Sequence, residues 1–391
     1  MEETMNNKII YLSLIAVLLV ITSCVSQGQP VTLTEAPATS IYATSISVGG
    51  AYACALLNNG RVLCWGDNSD GQLGDGTYND HGTATEVINL PEMIAISAGG
   101  GHTCALANEG TVKCWGQNDS GQLGIGTKEI ILEPVDIPNL VNVTSISAGF
   151  EHTCAVINDG SVKCWGKNLN GRVGNGSNER LILSPTDVVE LGTTITFVSA
   201  GNEHTCALTN NGDVKCWGRN VDGELGIGQD KNFSKTPMDV LGLEERIVAL
   251  TTGFARSCAV TDKGKITCWG WIGFQQFSIV PVDLAALNGT PTLIASGGDH
   301  ICVVVEGGKV NCIGENEKGQ LGNGNTTDSQ KFVEVKGLPA GVTVIGASFD
   351  YTCALTEKGE VWCWGHNASG QLGDGTKTDS SFPVKVIGIS Q

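Results

Sequence analysis

Short apolar runs recur along this chain in fixed company. A run such as Thr144-Ser145-Ile146-Ser147-Ala148-Gly149 precedes Cys154-Ala155-Val156-Ile157, then a three-residue link ending in Gly160, then Val162-Lys163-Cys164-Trp165-Gly166. The runs are too short for helices and show no 3.6-residue period, so they read as strands separated by turns. Links such as Asn58-Asn59-Gly60 and Asn108-Glu109-Gly110 read as hairpin loops whose last residue takes the left-handed conformation, open to Gly at little cost. Centring such a hairpin on Asn59 pairs Leu56 with Val62 and Cys54 with Cys64. Both alternating faces are apolar or small, with Leu56 and Val62 on one and Ala55, Leu57 and Trp65 on the other. Each sheet is therefore expected to be covered on both sides.

The cysteines set the period. Fourteen of the fifteen fall into seven pairs, Cys54/Cys64, Cys104/Cys114, Cys154/Cys164, Cys206/Cys216, Cys258/Cys268, Cys302/Cys312 and Cys353/Cys363. The first members of successive pairs are 50, 50, 52, 52, 44 and 51 residues apart, so one unit is repeated seven times. Each unit continues into a Gly-rich link, Gln117-Asn118-Asp119-Ser120-Gly121-Gln122-Leu123-Gly124-Ile125-Gly126-Thr127 in the second, and a short run, Pro134–Ile137. Four strands in each of seven units predict an all-β, seven-bladed β-propeller of four-stranded antiparallel blades. The long link follows the third strand and is expected to lead into the next blade. Phe382–Ile387 would then pair beside the first hairpin and close the ring with strands from both termini.

Opposed residues of an antiparallel pair lie within disulfide range, so seven bridges within the repeats are expected, provided the compartment is oxidising. Structural zinc fits less well, since it gathers four ligands and these pairs lie on different repeats.

The N-terminus supplies the compartment. A polar start with Lys8 leads into the apolar run Ile9–Ile21 and then Thr22-Ser23-Cys24. The run is short for a spanning helix and ends in small residues, as an export signal does. Ile21-Thr22-Ser23-Cys24 resembles the bacterial lipoprotein signal, in which the cysteine becomes the lipidated first residue; an ordinary cleaved signal or an uncleaved anchor is the alternative. The acids Glu2 and Glu3 depart from the usual basic start, which initiation at Met5 would restore. The expected organisation is a signal peptide over 1–23, a lipidated tether over 24–41 carrying Pro30 and Pro37, and the propeller over 42–391, held outside the cytoplasm. Acids outnumber bases 40 to 23, a net charge of −17 without a basic run, which argues against a nucleic-acid partner. A monomer that touches the membrane only through its lipid is expected.

The pattern Ile-Ser-Ala-Gly-x-x-His-Thr-Cys-Ala-Leu, followed by Gly-x-Val-x-Cys-Trp-Gly-x-Asn-x-x-Gly-Gln-Leu-Gly-x-Gly, resembles the regulator of chromosome condensation repeat. The resemblance covers 42–391 and is strongest in stretches such as Cys64-Trp65-Gly66-Asp67-Asn68-Ser69-Asp70-Gly71-Gln72-Leu73-Gly74-Asp75-Gly76. It implies a seven-bladed propeller and leaves the activity open, because the family includes an exchange factor for a small GTPase, a plant photoreceptor and a secreted β-lactamase inhibitor. The photoreceptor's Gly-Trp-Arg-His-Thr signature is absent from the matching Gly99–Thr103, Gly149–Thr153 and Gly201–Thr205. The cysteine pairs and the signal point to an exported, bacterial-type member.

Candidate chemistry is sparse. His102, His152, His204 and His300 occupy one column of the repeat, so they are spread round a ring and are expected to bridge strands rather than share a metal. Asp67, Asp70 and Asp75 look like an oxygen-rich calcium loop, but the first position is Gln117, Lys167, Arg219, Glu315 or His366 in other units. No nucleophile elbow or phosphate loop occurs, so neither enzymatic activity nor a cofactor or metal is expected. Seven sequons, at Asn118, Asn142, Asn175, Asn232, Asn288, Asn325 and Asn367, arise readily from a Gly/Asn/Ser-rich repeat. The repeat breaks in its fifth unit. Arg256 replaces the His or Tyr of the others, and Trp269-Gly270-Trp271-Ile272-Gly273-Phe274-Gln275-Gln276-Phe277 replaces the Gln-Leu-Gly link. Ile313 replaces the Trp of the sixth unit. Trp271, Phe274 and Phe277, with Arg256 beside them, are the expected contact for a protein or envelope partner; repair of a deletion by local packing is the competing reading. The functional expectation is a cell-surface lipoprotein binding module. A secreted-type enzyme inhibitor is the alternative, and exchange-factor activity is a third reading.

Overall fold

The computed structural model describes residues 40–389 apart from 230, 274, 275, 285 and 286. Cys24, the signal and the tether up to residue 39 lie outside these. The described chain forms seven separate four-stranded antiparallel sheets, each built from four strands consecutive in sequence. Blade one runs Ala43–Val48, Tyr52–Leu57, Val62–Gly66 and His81–Glu86. The first strand of each blade lies innermost, because the turns that follow these strands ring a common axis.

The hairpin register is the one the sequence predicts. Cys54 stands opposite Cys64 and Leu56 opposite Val62. All seven expected bridges are present: Cys54 to Cys64, Cys104 to Cys114, Cys154 to Cys164, Cys206 to Cys216, Cys258 to Cys268, Cys302 to Cys312 and Cys353 to Cys363. Their Cα atoms are 4.0–4.1 Å apart. The second strand of every blade is buried along its whole length, since it lies mid-sheet with a blade against each face.

Ring closure differs from the expectation. The last strand, Ser380–Lys385, pairs with Val361–Gly365 of its own blade, Cys363 opposite Val384, so no blade combines strands from both ends of the chain. The cause lies in the link, which folds back instead of moving on. A buried asparagine starts it, and its side chain takes the place of backbone partners: Asn367 Oδ1 accepts from Leu372 N–H at 3.0 Å, and Asn367 Nδ2 donates to Thr378 O at 3.0 Å. Asn68, Asn118, Asn168, Asn220 and Asn316 do the same for the link residue five places on.

Each folded-back link lies over the wall between its own blade and the next. Its apolar residue (Leu73, Leu123, Val173, Leu225, Leu321 or Leu372) is at most 1% exposed. The preceding carbonyl accepts the indole N–H of the following blade's tryptophan: Trp115 to Gln72, Trp165 to Gln122, Trp217 to Arg172, Trp364 to Gln320 and Trp65 to Gln371, at 2.8–3.0 Å. These tryptophans are fully buried wedges of the fold.

The wall between blades one and two shows six recurrent kinds of cross-blade bond. Besides Trp115, Thr103 Oγ1 donates to Gln72 O, Ala98 N–H to Ser47 Oγ, Gly50 N–H to Gly99 O, Met93 N–H to Gly60 O and Gly76 N–H to Leu132 O. Among the described residues, the wall between blades five and six shows none of the six. Blade five has no link; its third strand runs on to Gly273 and its outer strand starts at Gln276. Thr103 and Trp115 correspond to Ile301 and Ile313, and Met93 corresponds to Pro291, which has no N–H to give. Apolar packing of Ile301 and Val303 against Cys258, Ile266 and Cys268 holds this wall, with Arg256.

Candidate functional site

The turns between first and second strands and the links after the third strands share one face of the propeller. Asp67 N–H bonds Ala51 O, Lys167 N–H bonds Glu151 O, and the other blades follow. The hairpin loops lie on the opposite face, where the described chain enters: Asn58 Nδ2 donates to Ser40 O at 3.1 Å.

On the link face the residue four before each first cysteine points to the axis. Round the ring this column reads Gly50, Gly100, Phe150, Asn202, Phe254, Gly298 and Phe349, bordering an axial cavity of about 120 Å³. The three phenylalanines meet over it. Phe150 and Phe349 pack edge to face with centroids 5.8 Å apart, and Phe254 lies 5.9 Å from Phe349. Phe254 remains 49% exposed. Phe150 and Phe349 are part-buried, and a protein surface seldom leaves such a converging cluster partly uncovered without a use.

The next column carries the charge. Glu151 and Glu203 are neutralised: Lys167 bridges Glu151 at 2.6 Å, and the buried Arg172 reaches Glu203 at 2.6 Å. Asp299 and Asp350, on blades six and seven, are less well served. Burial raises the carboxyls of Asp350 and Glu315 above the ordinary range, and neighbouring acids, Asp299 among them, push in the same direction, while His366 and Lys318 offset part of the rise at Asp350. Asp70 on blade one is raised in the same way by burial, with Asp67 and Asp119 adding to it.

The sequence-predicted contact residues divide. Phe277 is 63% exposed on the outer strand of blade five, opposite a part-buried Trp271. Phe274 lies outside the described residues. Phe277 has a register counterpart: Phe233 of blade four faces Arg219 just as Phe277 faces Trp271, and Phe233 is also exposed. Arg256 is 1% exposed and belongs to the blade wall, where its guanidinium donates to Gly298 O at 2.6 Å and to Asp299 at 3.2 Å. Burial lowers its pKa to about 10, so it stays cationic at neutral pH.

The bridged cysteines take no part in this surface. Cys104 faces Cys114, Cys206 faces Cys216 and Cys302 faces Cys312 in mid-hairpin. All six are fully buried among core side chains, as are the other four pairs. Cys114, Cys216 and Cys312 thus brace the scaffold and offer no thiol to a partner.

The four histidines are wholly buried and bridge blades rather than strands of one blade. His102 Nε2 bonds Thr153 Oγ1 at 2.8 Å, and the pattern repeats from His152 to Thr205, His204 to Ser257 and His300 to Thr352. Thr153 spends its own proton on Gln122 O at 2.8 Å, so it must accept from His102, which fixes the Nε2–H tautomer and leaves Nδ1 unpartnered. Burial drives the pKa of His102, His204 and His300 down to about 3 and that of His152 well below its usual value. The column before them needs glycine: a Cβ on Gly99 would come within 2.5 Å of the His102 ring. Arg256 and Tyr351 replace histidine where the next blade offers no hydroxyl, Ile301 and Ala53 respectively, whereas Tyr52 replaces it beside Thr103 and bonds that hydroxyl at 3.0 Å.

Among the described residues no group of three or more His, Cys, Asp or Glu could hold a metal. The acids of the suspected calcium loop are engaged in turn bonds, Asp75 with His81 and Thr77 and Asp67 with Ser69. Two sequon asparagines, Asn118 and Asn367, are fully buried as link starters. The axial phenylalanines escaped sequence reasoning. Their column stands out only once it is known to face the axis.

Models of the regulator of chromosome condensation (RCC1) repeat match residues 43–72, 93–122, 143–172, 195–224, 292–320 and 342–371, and again 59–106, 109–156, 159–208 and 358–391. Neither set reaches blade five. The ultraviolet-B receptor UVR8 of Arabidopsis thaliana is 32% identical over 220 residues, 54% of this chain and 50% of the receptor. The human probable E3 ubiquitin-protein ligase HERC6 is 30% identical over 206 residues, 49% of this chain and 20% of the ligase. The chain thus matches half the length of the receptor and a fifth of the ligase. In fold it is similar to human WBSCR16, at a TM-score of 0.77 and 24% identity over 84% of this chain and 95% of that one. It is also similar to Prp20p of Saccharomyces cerevisiae, at 0.75 and 20% over 89% and 88%.

Proposed function

The chain belongs to the regulator of chromosome condensation (RCC1) repeat family, and on that premise we propose that it is an exported, lipid-anchored binding module presenting its link face to a protein of the cell envelope. Propellers of this type are scaffolds for protein interaction; the yeast RCC1 (Prp20) propeller has been solved bound to Kap60. The seven disulfides indicate an oxidising, extracytoplasmic setting. No helix among the described residues is long and apolar enough to cross a membrane, and the anchor is assigned to Cys24 on its sequence context. The described chain starts at Ser40 on the hairpin face, opposite the link face.

The phenylalanine cluster on the link face, with Phe254 exposed, carries this reading. The mode of action is binding rather than catalysis, and the neutral histidines sealed between blades support this. Cross-linking in the native envelope tests it, comparing the wild-type chain with Phe150→Ala/Phe254→Ala/Phe349→Ala. Loss of a cross-linked protein in the variant is expected; an unchanged set of products overturns the reading. Inhibition of a purified secreted hydrolase by the wild-type chain would favour the inhibitor alternative. Radiolabelled palmitate should enter the wild type and not Cys24→Ala.

A further inference from the structure

We propose that the axial phenylalanine cluster of the link face, with Asp299, Glu315 and Asp350 beside it, receives a basic protein segment with an apolar tip, one Leu or aromatic side chain flanked by Lys or Arg. This rests on the link face being the binding surface and names the chemistry of what binds there.

Two features of different origin lead to this occupant. Phe150, Phe254 and Phe349 come from alternate blades and offer an apolar seat on the axis, of a size for one or two side chains. The charge round that seat is lopsided. On blades three and four the acids Glu151 and Glu203 are already paired with Lys167, Arg172 and Arg219. On blades six and seven Arg256 is the one cation within bonding distance of Asp299, while Glu315 and Asp350 make no ion pair among the described residues. Lys318 and His366 make their ion pairs with Asp379 and act on Asp350 only from a distance. The seat also lies next to this acidic sector in the chain itself: Asp350 follows Phe349, and Gly298 N–H, beside Asp299, bonds Phe349 O at 3.0 Å. Cations of a partner would relieve repulsion between carboxylates that the fold compensates only in part, while an apolar side chain covers the exposed Phe254. An acidic segment would meet the same field with the opposite sign, on a chain of net charge −17.

Fluorescence anisotropy with the full chain in mild detergent tests the proposal. The probe is a fluorescein-labelled peptide Gly-Lys-Arg-Leu-Phe-Lys-Arg-Gly; controls replace Lys and Arg by Glu, or Leu and Phe by Ser. The basic apolar peptide should bind, weakening at least threefold between 50 and 300 mM salt, and both controls should bind at least tenfold more weakly. Phe254→Ala/Phe349→Ala should weaken binding about tenfold. Asp299→Asn/Asp350→Asn should weaken it about fivefold and flatten the salt dependence. Thermal midpoints of both variants are measured alongside to show that they fold. Equal binding of the acidic control, or unchanged binding by both variants, overturns the proposal. If the envelope cross-link depends on the phenylalanines but no basic peptide binds, the link face stands as the binding surface and the chemistry named here falls.

Discussion

Ile301 and Ile313 stand directly opposite each other on the second and third strands of blade six, in the two positions where blade two carries Thr103 and Trp115. In blades two, three, four and seven that hydroxyl and that indole donate to one carbonyl of the preceding blade's link. Blade five has no link, so a donor here would be buried without an acceptor, and apolar side chains replace both. The break in unit five and the departure in unit six are two halves of one wall.

Restoring the missing hydroxyl should therefore do harm. Ile301→Thr removes apolar contact and buries an unpaired O–H, a loss of about 1–3 kcal/mol that urea denaturation can read. A midpoint equal to wild type would show that some other acceptor serves this wall.

The same wall should open first. Hydrogen exchange followed by mass spectrometry is expected to show faster exchange in Pro291–Ser296 than in the matching strands Met93–Ala98 and Val143–Ala148. Uniform protection of all seven inner strands would contradict this.

Stability should fall as the solution is acidified below about pH 6.5. In the unfolded chain the histidines bind a proton near that value, whereas His102, His204 and His300 in the fold do so only at about 3. Between the two values the unfolded state holds more protons, so each histidine contributes a slope of about 1.4 kcal/mol per pH unit. The raised carboxyls Asp70, Glu315 and Asp350 act in the opposite sense, favouring the folded state as pH falls through their window just above the ordinary carboxylate values. His102→Asn should flatten the dependence by one histidine's share. Denaturation midpoints at pH 7 and pH 4.5 test this.

Peptide mapping without reduction should recover seven bridges, each ten residues apart in sequence, Cys104–Cys114, Cys206–Cys216 and Cys302–Cys312 among them. Replacing one pair, as in Cys154→Ala/Cys164→Ala, should cost about 2.5–3 kcal/mol by the loop-entropy model, plus a cavity penalty, because both cysteines are buried. Any bridge between different repeats would refute the hairpin register.

Phe277→Ser should leave thermal stability within about 0.5 kcal/mol of wild type, as expected for a side chain 63% exposed. If the outer rim of blade five contributes to the interface, recovery of the envelope partner falls in the same variant. A large loss of stability with unaltered recovery would mean that Phe277 fills the gap left by the missing link.

Within a blade, the sequence was legible almost to the residue. A ten-residue cysteine spacing across a Gly-ended loop admits one hairpin register, and Cys54 opposite Cys64 follows. What crosses between blades was not legible. The link looked like a connector because nothing local shows that Asn68 or Asn367 will fold it back, and ring closure was misplaced for that reason. Arg256 looked like a surface cation until its neighbours in blade six were known. The axial phenylalanines lie 104 and 95 residues apart in sequence, and no local pattern joins them.

Because every blade is one unbroken stretch of chain, the seven look like interchangeable bricks, yet their order is written into their faces. Blade six moved to follow blade two would set Ile301 and Ile313 beneath the Gln122 carbonyl and deprive it of both donors. A blade with tryptophan and threonine moved behind blade five would bring two donors to a place with no acceptor. Blade six is cut to fit blade five, as a key is cut for one lock, so inheritance can alter that wall only by changing both neighbours together.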